Sequence, residues 1–273
     1  MTAEPETRFA FGRNWQRFLT HLDEDRIEES ESSLRQTLGV ESLDGVSFLD
    51  VGSGSGLSSL AAARLGAERI FSFDYDPESV ACTKELRRRY FPEEGRWKIE
   101  QGDATDADYL KALGEFDIVY SWGVLHHTGQ MWKAIENTTR AVRPGGRLWL
   151  ALYNDRGWRT SYWRIVKRAY TRFPPIRPFV VAVVGAQIFV KGGILSLLQG
   201  RPGDVFGYWT RRGGRGMTGW HDLIDWVGGY PYEAASGEAV FEFVRGRGFR
   251  LEGLKTVNGL GCNEFLFARE RSS

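Results

Sequence analysis

The run Asp50-Val51-Gly52-Ser53-Gly54-Ser55-Gly56 constrains the fold of this chain more than any other stretch. It follows a short apolar strand, Val46 to Leu49, and leads into a helical stretch, Leu57 to Leu65. An acid, Asp74, closes the next apolar run at 69–73. Strand, glycine turn, helix and second strand make the opening unit of a parallel α/β sheet. Glycines let backbone approach a ligand within van der Waals distance. A carboxylate at the end of the second strand suits a ribose with two free hydroxyls. The segment therefore predicts a nucleoside site.

The spacing narrows the nucleoside. A dinucleotide loop reads G-x-G-x-x-G and presents a helix N-terminus to a pyrophosphate. Here the spacing is G-x-G-x-G, and Leu57 stands where the third glycine would be. Asp50, just ahead of the first glycine, would repel a pyrophosphate but could help to hold an amino-acid ammonium group. S-adenosylmethionine is a nucleoside that carries a cationic amino acid. Downstream, Asp74 lies in 73–80, where Pro77 opens the next helix, a favoured place for proline. Ile99 to Ala104 reads as a third strand ending in Asp103, Phe116 to Ser121 as a fourth, and Arg143-Pro144-Gly145-Gly146 as the turn before a fifth.

These motifs, in this order over residues 45 to 153, resemble the class I S-adenosylmethionine-dependent methyltransferases. The resemblance implies an α/β fold: a Rossmann-like seven-stranded, mostly parallel sheet with helices on both faces and a helical insertion after the fifth strand. It implies S-adenosylmethionine as cofactor. Asp50, Gly52, Ser53, Gly54 and Gly56 would lie along its methionine part, Asp74 and Tyr75 at the ribose, and Asp103 and Ala104 at the adenine. Ser121 and Trp122 would line the methyl side. Phe11, Asn14 and Trp15 would close the site from the N-terminal arm. The other reading of these three is ordinary helix docking.

The expected organisation is an N-terminal helical arm at 1–44 and a cofactor-binding core at 45–153. A helical insertion or substrate lid at 154–236 follows, and a C-terminal helix and hairpin at 237–273 complete the core. A composition of 42% hydrophobic and 26% charged residues is that of a globular chain. The polar N-terminus shows no secretory signal. No segment reaches the roughly 18 apolar residues read as a membrane span. Cys82 and Cys262 form neither a disulfide framework nor a zinc spacing. A cytoplasmic location follows as the expectation, with the inner membrane surface as its variant. No metal-ligating constellation is seen.

The insertion is peculiar in charge. Between 155 and 216 the acids are Asp155 and Asp204, whereas basic residues recur throughout, from Arg156 to Arg215. The whole chain carries only +1, so the remainder is acidic. Aromatics interleave the first half, and an apolar run, Phe179 to Val190, follows. That run reads as too short to span a bilayer but long enough to be buried or to lie in an interface. Four readings stay open: a buried helix beside a solvated basic one, a membrane-surface contact through 156–198, a nucleic-acid groove, and a site for an anionic small substrate. The absence of a recognised RNA-binding module disfavours the groove.

Methyl transfer is an in-line displacement in which the protein mainly positions the nucleophile. A hydroxyl or amine acceptor also needs a base near its proton, a role that histidine suits. Of four histidines, His21 lies in a polar helix, whereas His126 and His127 follow the fourth strand and His221 lies in the insertion. His127 is preferred for the pocket, with His126, His221 and Tyr153 as further candidates. Ser121 to Gly129, Ala151 to Asp155 and Trp220 to Pro231 are similar to the group containing the ubiquinone-biosynthesis O-methyltransferases. The short acidic segment that those enzymes carry after the fourth strand is replaced here by two histidines, which argues against a quinone acceptor. The expected function is methylation of a small or lipid-like hydroxylated, or amine, metabolite. The alternatives are RNA or protein methylation through the basic insertion, and a non-enzymatic scaffold at a membrane.

Overall fold

The computed structural model describes residues 12–92, 95–198, 223 and 226–271. Two helices, α1 (Gly12–Leu19) and α2 (Glu24–Leu38), come first. Asp23 caps α2 by accepting a hydrogen bond from the Arg26 amide at 3.2 Å. Strands and helices then alternate through β1 (Ser47–Val51), α3 (Leu57–Arg64), β2 (Arg69–Asp74), α4 (Pro77–Tyr90), β3 (Trp97–Gln101), α5 (Ala107–Leu113) and β4 (Phe116–Trp122). A 3-10 turn (Leu125–His127), α6 (Met131–Arg140) and β5 (Val142–Tyr153) continue the series. After α7 (Trp158–Arg172) and α8 (Arg177–Leu198), the chain closes with α9 (Gly237–Arg245), β6 (Phe249–Lys255) and β7 (Cys262–Arg269).

The seven strands form one sheet in the order β3-β2-β1-β4-β5-β7-β6. The five strands from β3 to β5 pair in parallel, and β7 runs antiparallel to both β5 and β6. This is the Rossmann-like, mostly parallel sheet expected from the sequence. Side chains alternate across it with the period of two that a strand imposes. Phe48, Ile70, Ile118 and Trp149 enter one core with residues of α1 to α4. Leu49, Phe71, Val119 and Leu148 enter another with residues of α5, α6 and α9. Both faces are thus covered, as a parallel sheet requires. The order reverses at β1, whose neighbours are β2 and β4, so a crevice opens beyond the carboxyl ends of these strands.

One local expectation fails. Arg143 to Gly146 is not a turn preceding the fifth strand but an irregularity within β5. Phe116 pairs with Val142, and the next pair is Ile118 with Arg147, so the intervening residues bulge. Gly145 takes the positive φ (+80°) that such a bulge needs.

The described residues fall into two compact units, one running to Thr160 and resuming at Tyr232, the other lying between Ser161 and Pro231. The second has its own small core of Tyr170, Val181, Val184, Leu223 and Val227. Within it the buried Lys167 donates to the Trp226 carbonyl and lies over that indole, 4.1 Å from its centroid. Arg177 donates to the carbonyls of Tyr170 and Thr171, which closes the C-terminal end of α7. A further correction concerns α8. The apolar run is not a short segment, because the helix continues through Lys191, Gly192 and Gly193. The stretch Pro174–Ile194 has a mean hydropathy of 1.4, long and apolar enough to cross a membrane by length and composition.

Candidate functional site

The glycine run leaves β1 and folds back onto the end of β2. The Gly52 and Ser53 amides both donate to the Phe73 carbonyl, at 2.9 and 3.0 Å, and the Gly54 amide donates to Asp74 Oδ2 at 2.9 Å. Asp74 Oδ1 accepts from the Asp76 amide at 2.9 Å. The glycines at 52, 54 and 56 have φ of +80°, +56° and +84°, which L side chains rarely adopt. Protein neighbours also press on them. A Cβ at Gly52 would come within 2.3 Å of Val124, at Gly54 within 2.9 Å of the Trp15 indole, and at Gly56 within 2.7 Å of Thr83. The run is therefore built for close packing against protein neighbours.

Asp50 sits deeper than its place in the sequence suggests. It is 2% exposed and accepts a hydrogen bond from Ser59 Oγ at 2.6 Å. Ser59 meets Ser72 Oγ, which accepts from the Trp97 indole, so a polar thread runs from Asp50 through α3 and β2 to β3. Burial pushes the Asp50 carboxyl up to about 7 and the Asp74 carboxyl up to about 6. Ser59, Ser72 and Trp97 were not singled out from the sequence. The available signal was a serine on the apolar face of α3, between Leu57 and Leu60.

Asp103 lies two residues past the end of β3 rather than on it, and its Oδ1 accepts from the amide and the hydroxyl of Thr105, both at 2.8 Å. Ala104 is buried, and its carbonyl accepts from Asn137 at 3.0 Å. Tyr75 is half exposed beside Asp74. Ser121 is fully buried and donates to the Val51 carbonyl at 3.0 Å, which ties β4 to β1, and Trp122 ends β4. From the arm, the Gly12 amide donates to Asp76 Oδ2 at 2.8 Å, and Trp15 rests on Gly54 with Phe18 edge-on to it. The backbone of Asn14 lies in α1. Phe11 and His221 lie outside the described residues.

The contact between Val124 and Gly52 brings the turn after β4 against the glycine loop. The two histidines of that turn differ. His126 is fully buried, and its Nδ1 accepts the Tyr153 amide at 3.2 Å, which places the ring proton on Nε2. Its ring lies 3.8 Å from that of Tyr153. His127 is half-buried, and Tyr153 meets it edge-on at 5.5 Å. Tyr232 packs on Tyr153 at 5.2 Å, and Glu233 joins the His126 carbonyl to the amide at the start of α6. Sequence reasoning missed Tyr232 and Glu233, which are distant in the chain and carry no motif.

This donor set fits a nucleoside bearing a cationic amino acid. One carboxylate ends β2, one stands beyond β3, a third is buried in β1 next to its last residue, and the loop from 50 to 57 holds no basic side chain for a pyrophosphate. A seven-stranded sheet in this order with the loop at its switch point defines the Rossmann-like methyltransferase fold. Residues 49–150 match the family model described as "Methyltransferase domain". Residues 49–150 thus form a methyltransferase domain of the class I S-adenosylmethionine-dependent kind.

The ubiquinone biosynthesis O-methyltransferase of Methylobacterium sp. (strain 4-46) is 30% identical over 153 residues, 56% of this chain and 51% of that protein. The ribosomal protein L11 methyltransferase of Methylococcus capsulatus is 34% identical over 114 residues, 42% of this chain and 36% of that protein. The chain therefore spans about half the length, or less, of the curated relatives it matches. Among solved structures, the magnesium protoporphyrin IX methyltransferase of Synechocystis PCC 6803 with bound SAH superposes with a TM-score of 0.54 at 13% identity, covering 89% of this chain and 83% of that one.

Proposed function

We propose that this protein transfers the methyl group of S-adenosylmethionine to a small or lipid-like hydroxylated metabolite, an amine being the other acceptor of the same kind. The observation that carries this reading is the pairing of the glycine loop with Asp74 inside a matched methyltransferase domain. When bound, the cofactor supplies a methyl group on a cationic sulfonium. Asp74 would accept hydrogen bonds from the ribose hydroxyls, Asp103 would face the adenine, and Asp50 would set the field around the amino-acid end. Trp15 covers the loop and keeps water from it. His127, reachable at the carboxyl end of β4, takes the proton of the acceptor hydroxyl on an imidazole nitrogen. His126 holds the turn in place through Tyr153.

The similarity to ribosomal protein L11 methyltransferases favours a second reading, with a protein as acceptor. One experiment separates the two. The purified chain is incubated with methyl-labelled S-adenosylmethionine and an extract of its host. Label in the small-molecule or organic-soluble fraction supports the metabolite reading. Label that precipitates with protein supports the second, and no transfer to any fraction defeats both.

A further inference from the structure

The second unit carries a surface that methyl transfer does not explain. Helix α8 is apolar all round: between Pro178 and Leu198 the polar side chains are Gln187, Lys191 and Ser196. Such a helix is ordinarily buried on every side. Here one side, with Val181 and Val184, packs on Tyr170, Leu223 and Val227. The opposite side, with Phe179, Val183, Val190, Ile194 and Leu197, is exposed, Phe179 and Leu197 at 72% and 69%. Little of the apolar stretch Pro174–Ile194 is buried. Contiguous apolar surface of this kind marks an interaction site.

The neighbouring helix supplies the charge. Arg164, Arg168 and Arg172 recur at intervals of four on the exposed side of α7, beside Tyr162 and Ile165. Phe173, 54% exposed, continues the apolar surface into the turn that leads to α8. No acidic residue occurs from 156 to 198. A second copy of the same surface would bring arginine rows of one sign together. An anionic lipid surface suits a row of this sign and also accepts the apolar side chains.

We propose that the exposed faces of α7 and α8 dock on an anionic lipid bilayer, with α8 lying in the membrane plane. Its apolar side chains enter the acyl boundary and the arginines meet lipid phosphates. The packing argues for lying rather than spanning. One side of α8 is committed to Tyr170, Leu223 and Val227, and Arg177 binds α7 at the head of the helix. A spanning α8 would carry the arginines of α7 into hydrocarbon or lose this core.

The test is flotation of the full chain with two vesicle preparations, phosphatidylcholine alone and an equimolar mixture with phosphatidylglycerol. Flotation with the anionic vesicles only is expected. The triple variant Arg164→Glu, Arg168→Glu, Arg172→Glu should lose it at least tenfold, and so should Phe179→Ser with Leu197→Ser. An unchanged thermal shift with S-adenosylhomocysteine shows that the variants are folded. Alkaline carbonate should release the bound protein. Sedimentation without vesicles, equal flotation of the triple variant, or resistance to carbonate would each overturn the proposal.

Discussion

The amide of Gly54 donates to Oδ2 of Asp74 at 2.9 Å, so the acid proposed to meet the ribose also fixes the glycine loop. Loop and acceptor therefore form one unit. Asp74→Ala removes the partner of both the Gly54 and the Asp76 amides. Hydrogen bonds to a charged group contribute about 1.5–3 kcal/mol, so S-adenosylhomocysteine should bind at least about tenfold more weakly by calorimetry. Asp74→Asn keeps one acceptor oxygen and should lose less. Equal affinity in wild type and Asp74→Ala would remove Asp74 from the site.

Asp50 links stability to pH. Its carboxyl is raised from the ordinary 3.8 to about 7, chiefly by burial. A raised folded-state value means that the group's contribution to stability is fully present below about pH 4 and is lost as pH rises through about 7. The ligand-free protein should lose a few kcal/mol, with about 4 as the ceiling, across that window. Asp74, raised to about 6, acts in the same direction. Asp50→Asn keeps an acceptor for Ser59 and removes the titration. Its urea midpoint should exceed that of wild type at pH 8 and vary less between pH 4 and 7. Affinity for the cationic cofactor should move oppositely in wild type, rising with pH, and the slope should shrink in Asp50→Asn.

The parts of the site that are local in the chain were legible in the sequence. The strand-turn-helix around Gly52, Gly54 and Gly56 and the acid at the end of β2 are set by neighbours a few residues away. The depth of Asp50 was not legible, because it depends on hydroxyls in α3 and β2 that meet only when the strands pair. Adjacent histidines could be placed at the end of β4, but which of them is buried depends on Tyr153, itself packed by Tyr232, from distant segments. The length of α8 is hidden in the sequence because Lys191, Gly192 and Gly193 break an apolar run without breaking the helix. The bulge at Arg143 to Gly146 looks like a turn in sequence because proline and glycine signal both.

The arm and the loop should be energetically coupled. A Cβ at Gly54 would meet three atoms of the Trp15 indole at 2.9 to 3.2 Å. Gly54→Ala alone must strain a left-handed backbone and displace the ring, an expected loss of about 2–4 kcal/mol. In a Trp15→Ala background the ring is gone and only the backbone strain of about 1–2 kcal/mol remains. A double-mutant cycle by urea denaturation should therefore return a coupling of at least about 1 kcal/mol. An additive result would place Trp15 away from the loop.

The two histidines should separate by phenotype. His126 is fully buried, accepts the Tyr153 amide and packs on the Tyr153 ring. His126→Ala leaves a cavity and an unsatisfied amide, so it should lower stability by about 2–4 kcal/mol. His127 is half-buried at the mouth of the same turn, and His127→Ala should leave the melting temperature within a degree or two, as for a substitution outside the core. If His127 takes the acceptor proton, that variant should lose about 10²–10⁴-fold in labelled methyl transfer while binding S-adenosylhomocysteine normally. Full transfer by His127→Ala would assign the base elsewhere, with Tyr153 the next side chain to replace.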